Sequence, residues 1–134
     1  MKIKVGDWVK VECLENTIGR VTKIDNLGVH VYIGKPIIRL YTGDFIKYLI
    51  KLPIKFKPFE INRNLQVYET RVIKGHKYPI QFMSTDNNFA AFSYCKKGVM
   101  FGTIGSRQCV TRDQAKDWLE LQYATMIAKE RGLI

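Results

Sequence analysis

Hydrophobic and polar positions alternate in short runs through the first part of the chain and again, after an interruption, near residue 90. Val5, Trp8, Val9 and Val11 are interleaved with Lys10 and Glu12 after Gly6-Asp7. Ile18, Val21 and Ile24 recur around Arg20, Thr22 and Lys23; Asn26-Leu27-Gly28 supplies a turn, and Val29, Val31 and Ile33 alternate with His30 and Tyr32. Alternation of period two, bounded by turn residues, predicts strands over 5–13, 18–24 and 29–33. A turn at Gly34-Lys35-Pro36 and a fourth strand from Ile37 to Tyr41 follow. After a corner at Thr42-Gly43-Asp44, residues Phe45 to Lys51 supply a fifth short strand, or one helical turn plus a strand. Five such strands in so short a stretch predict a small closed or nearly closed barrel, because closure hides the sheet edges.

Pro53 and Pro58 interrupt this pattern, and proline removes backbone donors and favours extended chain. Residues 53–66 are therefore the expected linker, with Phe56, Phe59 and Ile61 packing it along the junction of two modules. Beyond it, strands are predicted over Leu65–Ile73, Tyr78–Met83, Phe89–Tyr94 and Val99–Ile104, with turns at Asp86-Asn87-Asn88 and Lys96-Lys97-Gly98. Thr111 then opens a helix, with Gln114 in the capping-box position. Ala115, Trp118, Leu119, Tyr123, Met126 and Ile127 recur at helical spacing as its apolar face, and Gly132 is the expected stop. The fold class expected is α+β: a five-stranded barrel over 1–52, the linker, and a three- to four-stranded antiparallel sheet packed on one C-terminal helix over 67–134.

Two resemblances attach to particular residues. Gly6-Asp7-x-Val9-x-Val11, then Gly19-x-Val21-x-x-Ile24, then the corner before Phe45 resemble the Src-homology-three-like barrels of Tudor and KOW type over residues 3–52, although the loop from Cys13 to Ile18 lacks the glycine-lysine-glycine core of the KOW pattern. Such barrels bind RNA, DNA, peptides or modified side chains, so this likeness implies a fold and not a ligand. Phe89-Ala90-Ala91, Gly98, Phe101-Gly102-Thr103 and Thr111 with Ala115 resemble the sheet-plus-helix DNA-binding domain of ethylene-response factors, a fold shared by phage integrase arm-binding domains, over residues 71–128. That resemblance implies an exposed sheet face entering the major groove, and it places the contacts on Phe92, Tyr94, Met100 and Thr103. The arginines that read bases in that family are absent from these positions, and Arg71, Lys74, Lys77, Lys96 and Lys97 are the basic groups nearby in sequence.

The charge balance points the same way. Lys+Arg 22 against Asp+Glu 12 gives a formal net charge of +10 in 134 residues. A balance this basic favours a polyanionic partner, although it also serves solubility. The excess is spread as +4 over residues 1–52, +3 over 53–88 and +3 over 89–134, so any positive patch must be made by folding. Cys13, Cys95 and Cys109 are odd in number, far apart and never in a C-x-x-C pair, which predicts reduced thiols and no zinc site. The opening MKIKVGDWVK has no apolar run and no stretch reaches membrane-spanning length, so a cytoplasmic protein without membrane contact is expected.

Candidate chemistry is thin. His30 and His76 are isolated; Ser84-Thr85-Asp86 and Gly105-Ser106-Arg107 lack the strand–loop–helix setting of nucleophile or phosphate loops; no carboxylate pair is spaced for acid–base work. The expectation is a non-enzymatic protein without cofactor or metal that binds nucleic acid, DNA before RNA and double-stranded DNA first. The candidate contacts are Lys10, Arg20, Lys23, Arg71, Lys74, Lys77, Phe92, Tyr94, Lys96, Lys97 and Thr103. Lys96-Lys97 reads equally as a solvated hairpin turn, and Trp8 as a rim or a core residue. The alternative is a phage or mobile-element protein that blocks a bacterial defence or nucleic-acid-handling complex by protein contact. The sequence leaves the oligomeric state open.

Overall fold

The computed structural model describes residues 2–34 and 38–134; the expected turn through Lys35-Pro36 and the strand start at Ile37 lie outside the described residues. Among the described residues the protein is α+β, with a five-stranded and a four-stranded antiparallel sheet and one C-terminal helix. The chain divides into two compact units: residues 1–55 with 127–134, and residues 56–126.

The first unit contains β1 (Trp8–Val11), β2 (Ile18–Asp25), β3 (Gly28–Tyr32), β4 (Arg39–Tyr41), a 3-10 helix (Gly43–Tyr48) and β5 (Leu49–Lys51), in the sheet order β4-β3-β2-β1-β5. The helical turn plus strand, one of the two forms expected after Thr42, is what forms. Pairing of Val21 with Val31 and of Val29 with Tyr41 brings the alternate apolar positions onto one face. Val9, Val11, Val21, Val29, Val31, Tyr41 and Leu49 are buried there as a core, with Ile3, Leu14, Ile33 and Ile46 packed around it. Gly28 is demanded by its turn twice over: its φ is +143°, and a Cβ would run into the carbonyl of Tyr41. The end of the chain closes as a Schellman motif, with Leu133 N–H donating to the Ala128 carbonyl at 2.8 Å, Gly132 N–H donating to that of Lys129 at 3.1 Å, and Gly132 at φ +68°.

The second unit contains β6 (Tyr68–Arg71), β7 (Ile80–Ser84), β8 (Phe89–Lys96) and β9 (Val99–Gln108) in sequential order, and all but the end of the helix α1 (Arg112–Glu130). Half of the capping box expected at the helix start forms as such: Gln114 N–H donates to Thr111 Oγ1 at 3.1 Å, while Gln114 Oε1 reaches one residue past the cap and accepts the N–H of Val110 at 3.1 Å. Register pairs Phe82 with Phe92 and Ile80 with Tyr94, so these four share a sheet face. Phe59, Phe82, Phe92, Trp118 and Tyr123 interlock through ring contacts, among them Phe82–Phe92 at 5.5 Å and Phe92–Trp118 at 5.8 Å. Burying each such ring contributes about 1.5–3 kcal/mol, which makes this cluster the main stabilising feature of the unit. The proline-bearing segment supplies Phe59 to that core, 2 % exposed, and Ile61 bridges to Val67.

Candidate nucleic-acid interface

The hairpin joining β8 and β9 has a two-residue turn, Lys97-Gly98, flanked by the pair Lys96 and Val99. Both turn residues have positive φ, +51° and +78°, as a type I′ turn requires. From this turn the ladder brings Cys95 opposite Met100 and Tyr94 opposite Phe101. Phe101 lies 6.2 Å from Tyr94 in a stacked arrangement and 5.0 Å from Tyr78 edge-on, and His76 is 6.2 Å from Tyr94. Two ammonium groups converge on the same rings: Lys77 Nζ is 5.3 Å and Lys96 Nζ 5.7 Å from the centroid of Tyr78. Val99, Met100 and Phe101 are all exposed, Phe101 by 41 %. One end of the sheet thus carries neighbouring aromatic rings, Phe101 among them exposed, with two cations close to the ring of Tyr78. Aromatic platforms beside positive charge are the elements that bind nucleotides by stacking and phosphate neutralisation.

Of the residues expected to make contacts, Lys77, Tyr94, Lys96 and Lys97 come together at this end. Lys74 is exposed in the loop between β6 and β7. Thr103 is opposite Ser93, with the two hydroxyls 3.5 Å apart, and Ser93 pairs with Gln81, so both stand on the other sheet face from Phe92 and Tyr94. Two expectations are corrected. Phe92 is 5 % exposed and packs on Phe82 and Trp118, because α1 covers the face that the resemblance treated as open. Arg71 is a structural residue: its side chain is 16 % exposed, bonds Glu69 at 3.3 Å and lies 4.8 Å above the Phe59 ring.

Lys10, Arg20 and Lys23 belong to the first unit. Lys10 is half-buried between core residues Val9 and Val11. Arg20 lies over the ring of Trp8 at 5.3 Å, and Trp8, left open between rim and core, is buried. Lys23 Nζ is 3.4 Å from Asp25, whose carboxylate also meets His30 Nε2 at 3.1 Å. Partial desolvation acts to raise the Asp25 pKa, and hydrogen bonds from Leu27 N–H, His30 and Gly28 N–H outweigh it, so the net value is lowered. These three cations thus do not form a cluster of the kind seen at the hairpin.

Tyr78, Phe101 and His76 were missed by sequence reasoning. Their signal is the hairpin itself: counting outward from Lys97-Gly98 puts Phe101 opposite Tyr94. At the other end of the sheet a recess of about 530 Å³ is lined by Thr85, Asp86, Asn87, Phe89 and Gln108. It holds a carboxylate and no basic group, which suits a polyanion poorly. Among the described residues no cluster of His, Cys, Asp and Glu is arranged to hold a metal, and no helix is long and apolar enough to cross a membrane. No protein-family model, curated protein or solved structure matches the chain.

Proposed function

We propose that the protein binds nucleic acid without catalysing a reaction on it, and that the β8–β9 end of the second unit is the principal contact. The observation that carries this reading is the convergence of Lys77 and Lys96 on Tyr78, beside Tyr94 and Phe101. The net charge of +10 supports it by favouring encounter with a polyanion. In the first unit, the strand order β4-β3-β2-β1-β5, with a 3-10 helix leading into β5, supports the reading as a Src-homology-three-like small barrel. The second unit is read as a relative of the sheet-plus-helix DNA-binding domains whose contacts have moved from the helix-covered face to the hairpin end. A cytoplasmic location belongs to the same reading, and the free thiols of Cys13, Cys95 and Cys109 support it.

The test is a binding titration of labelled duplex and single-stranded DNA at low salt, repeated as salt rises. Phosphate neutralisation predicts that affinity falls log-linearly with salt, with a slope of about −0.7 to −0.9 per phosphate contacted. Lys77→Glu with Lys96→Glu weakens binding further. A flat salt response, or no binding at low salt, rejects the reading.

A second reading is favoured by one observation. Edge strand β9 exposes Val99, Met100, Phe101 and Ile104, and no lysine guards the run from Val99 to Ser106. Such an edge suits a protein partner that adds a strand, as a phage or mobile-element inhibitor of a defence complex would require. Capture from a nuclease-treated bacterial lysate separates the two: a defence or nucleic-acid-processing protein retained by the wild type and lost on Phe101→Lys supports protein contact.

A further inference from the structure

The hairpin end also carries an inference about which form of nucleic acid it takes. We infer that it is built for single strands, stacking unpaired bases on Phe101 and the neighbouring tyrosines while Lys77, Lys96 and Lys97 take the adjoining phosphates; this rests on the nucleic-acid reading above and departs from the duplex expected from sequence.

Three observations carry it. The first is the chemistry of the exposed surface. The start of β9, just after Lys96-Lys97, presents Val99 and Phe101, 68 % and 41 % exposed, on the face of Tyr94, and Met100, 42 % exposed, on the other. A duplex offers phosphates and groove edges and hides its base faces, so these apolar groups would meet charged or polar surface. An unpaired base offers the apolar face that covers them. The second is what the hairpin lacks. Paired hydrogen bonds to base edges in the major groove come chiefly from arginine, asparagine and glutamine, with lysine also reaching guanine. From Tyr94 to Thr103 the chain has no arginine, asparagine or glutamine. Its cations are lysines, which meet phosphate as point charges and lack the rigid fork of arginine.

The third is Lys97. A type I′ turn prefers asparagine, aspartate or glycine at both central positions, since both are left-handed. Lys97 occupies the first at φ +51°. A left-handed lysine is unfavourable for the fold, and asparagine would suit the backbone better. An outlier of this kind, at the tip of a cationic aromatic cluster, points to a role for the ammonium group. In the turn it directly follows Lys96, whose ammonium sits 5.7 Å from the Tyr78 ring. Charge is thereby held next to stacking surface, the arrangement that a phosphate followed by its base requires.

The experiment uses the full chain and fluorescence anisotropy with labelled oligothymidylate, oligouridylate and a mixed-sequence duplex of equal length. At low salt the single strands bind at least about tenfold more tightly than the duplex. The comparison of thymidylate with uridylate shows whether DNA or RNA is preferred. Phe101→Ala weakens single-strand binding by roughly tenfold and changes duplex binding much less. Lys97→Asn, chosen because it keeps the turn, flattens the single-strand salt slope by about 0.7. Unchanged circular dichroism and melting temperature establish that both variants are folded. Tighter binding of duplex, with Phe101→Ala without effect, overturns the single-strand inference and leaves the nucleic-acid reading standing. Failure of all three oligonucleotides to bind overturns both.

Discussion

The backbone N–H of Phe59 donates to Glu120 Oε2 at 2.8 Å across 61 positions of sequence. Glu120 is 1 % exposed, and its other oxygen bonds Lys116 Nζ at 3.1 Å. A carboxylate in an aromatic core is tolerated because both oxygens are engaged and one engages a backbone donor that proline-rich chain cannot satisfy within a sheet. The pair fixes the segment after Pro58 against α1 and so sets where Phe59 enters the core.

Glu120→Ala removes both partners at once and strands the Phe59 donor. The expected loss is about 2–4 kcal/mol, and Glu120→Gln, which keeps an acceptor and loses the charge, forfeits about half of that. Urea unfolding measures both. An alanine variant within about 0.5 kcal/mol of wild type would show the bond to be dispensable.

Asp25 supplies a prediction for the acid limb of stability. Its folded pKa is lowered, with desolvation opposed and outweighed by the bonds from Leu27, His30 and Gly28. A carboxyl depressed on folding contributes stability that is present above its unfolded value of about 3.9 and lost as pH falls through the folded value. Asp25→Asn therefore destabilises most near neutral pH. The difference between variant and wild type shrinks as pH falls from neutral through and below the ordinary carboxyl range, as chemical denaturation at several pH values will record. A difference that stays constant across that range would remove Asp25 from the acid response.

Much of this fold was legible in the sequence, and the failures are instructive. Alternation around Val9, Val21 and Val31 identifies the first sheet because one face is uniformly apolar and buried, while the other mixes buried Trp8 and Ile18 with half-buried Lys10, Arg20 and Tyr32. Thr111, Gln114 and Gly132 mark the helix correctly because caps are local chemistry, satisfied within four residues. Phe92 was assigned to an open face because a strand pattern reports alternation and not which side a distant helix covers. Arg71 looked like a phosphate ligand for a related reason: Glu69, two residues back on the same face of β6, is a local partner, but the Phe59 ring beneath the guanidinium comes from another segment and leaves no local signature. The facing of Phe101 and Tyr94 was readable once Lys97-Gly98 is taken as a two-residue turn, since the register then follows by counting.

Gly105 tests the packing beneath the hairpin independently of any ligand. It faces Phe92, and a Cβ there would come within 2.8 Å of the ring. Phe92 is held by Phe82 and Trp118 and has little room to yield. Gly105→Ala is expected to destabilise by about 1–3 kcal/mol through overpacking. Replacing Phe92 by leucine at the same time restores part of the loss, a non-additivity that a double-mutant cycle reads directly.

Tyr41 supplies a prediction of the opposite sign. It is 6 % exposed in the core of the first unit, and its hydroxyl meets no oxygen or nitrogen partner among the described residues, only the thiol of Cys13, a weak hydrogen-bonding group. Burial, and secondarily the nearby Cys13, raises its pKa, so the phenol stays neutral at physiological pH and its oxygen gains nothing from ionisation. A buried hydroxyl with only a thiol beside it recovers little of its desolvation penalty, and its removal leaves the ring's packing intact. Tyr41→Phe is therefore expected to raise stability by about 1 kcal/mol. For the first unit this appears as a higher urea midpoint at unchanged slope. A loss of stability instead would mean that the hydroxyl is bonded in solution, and the side chain would then count among the polar anchors of β4.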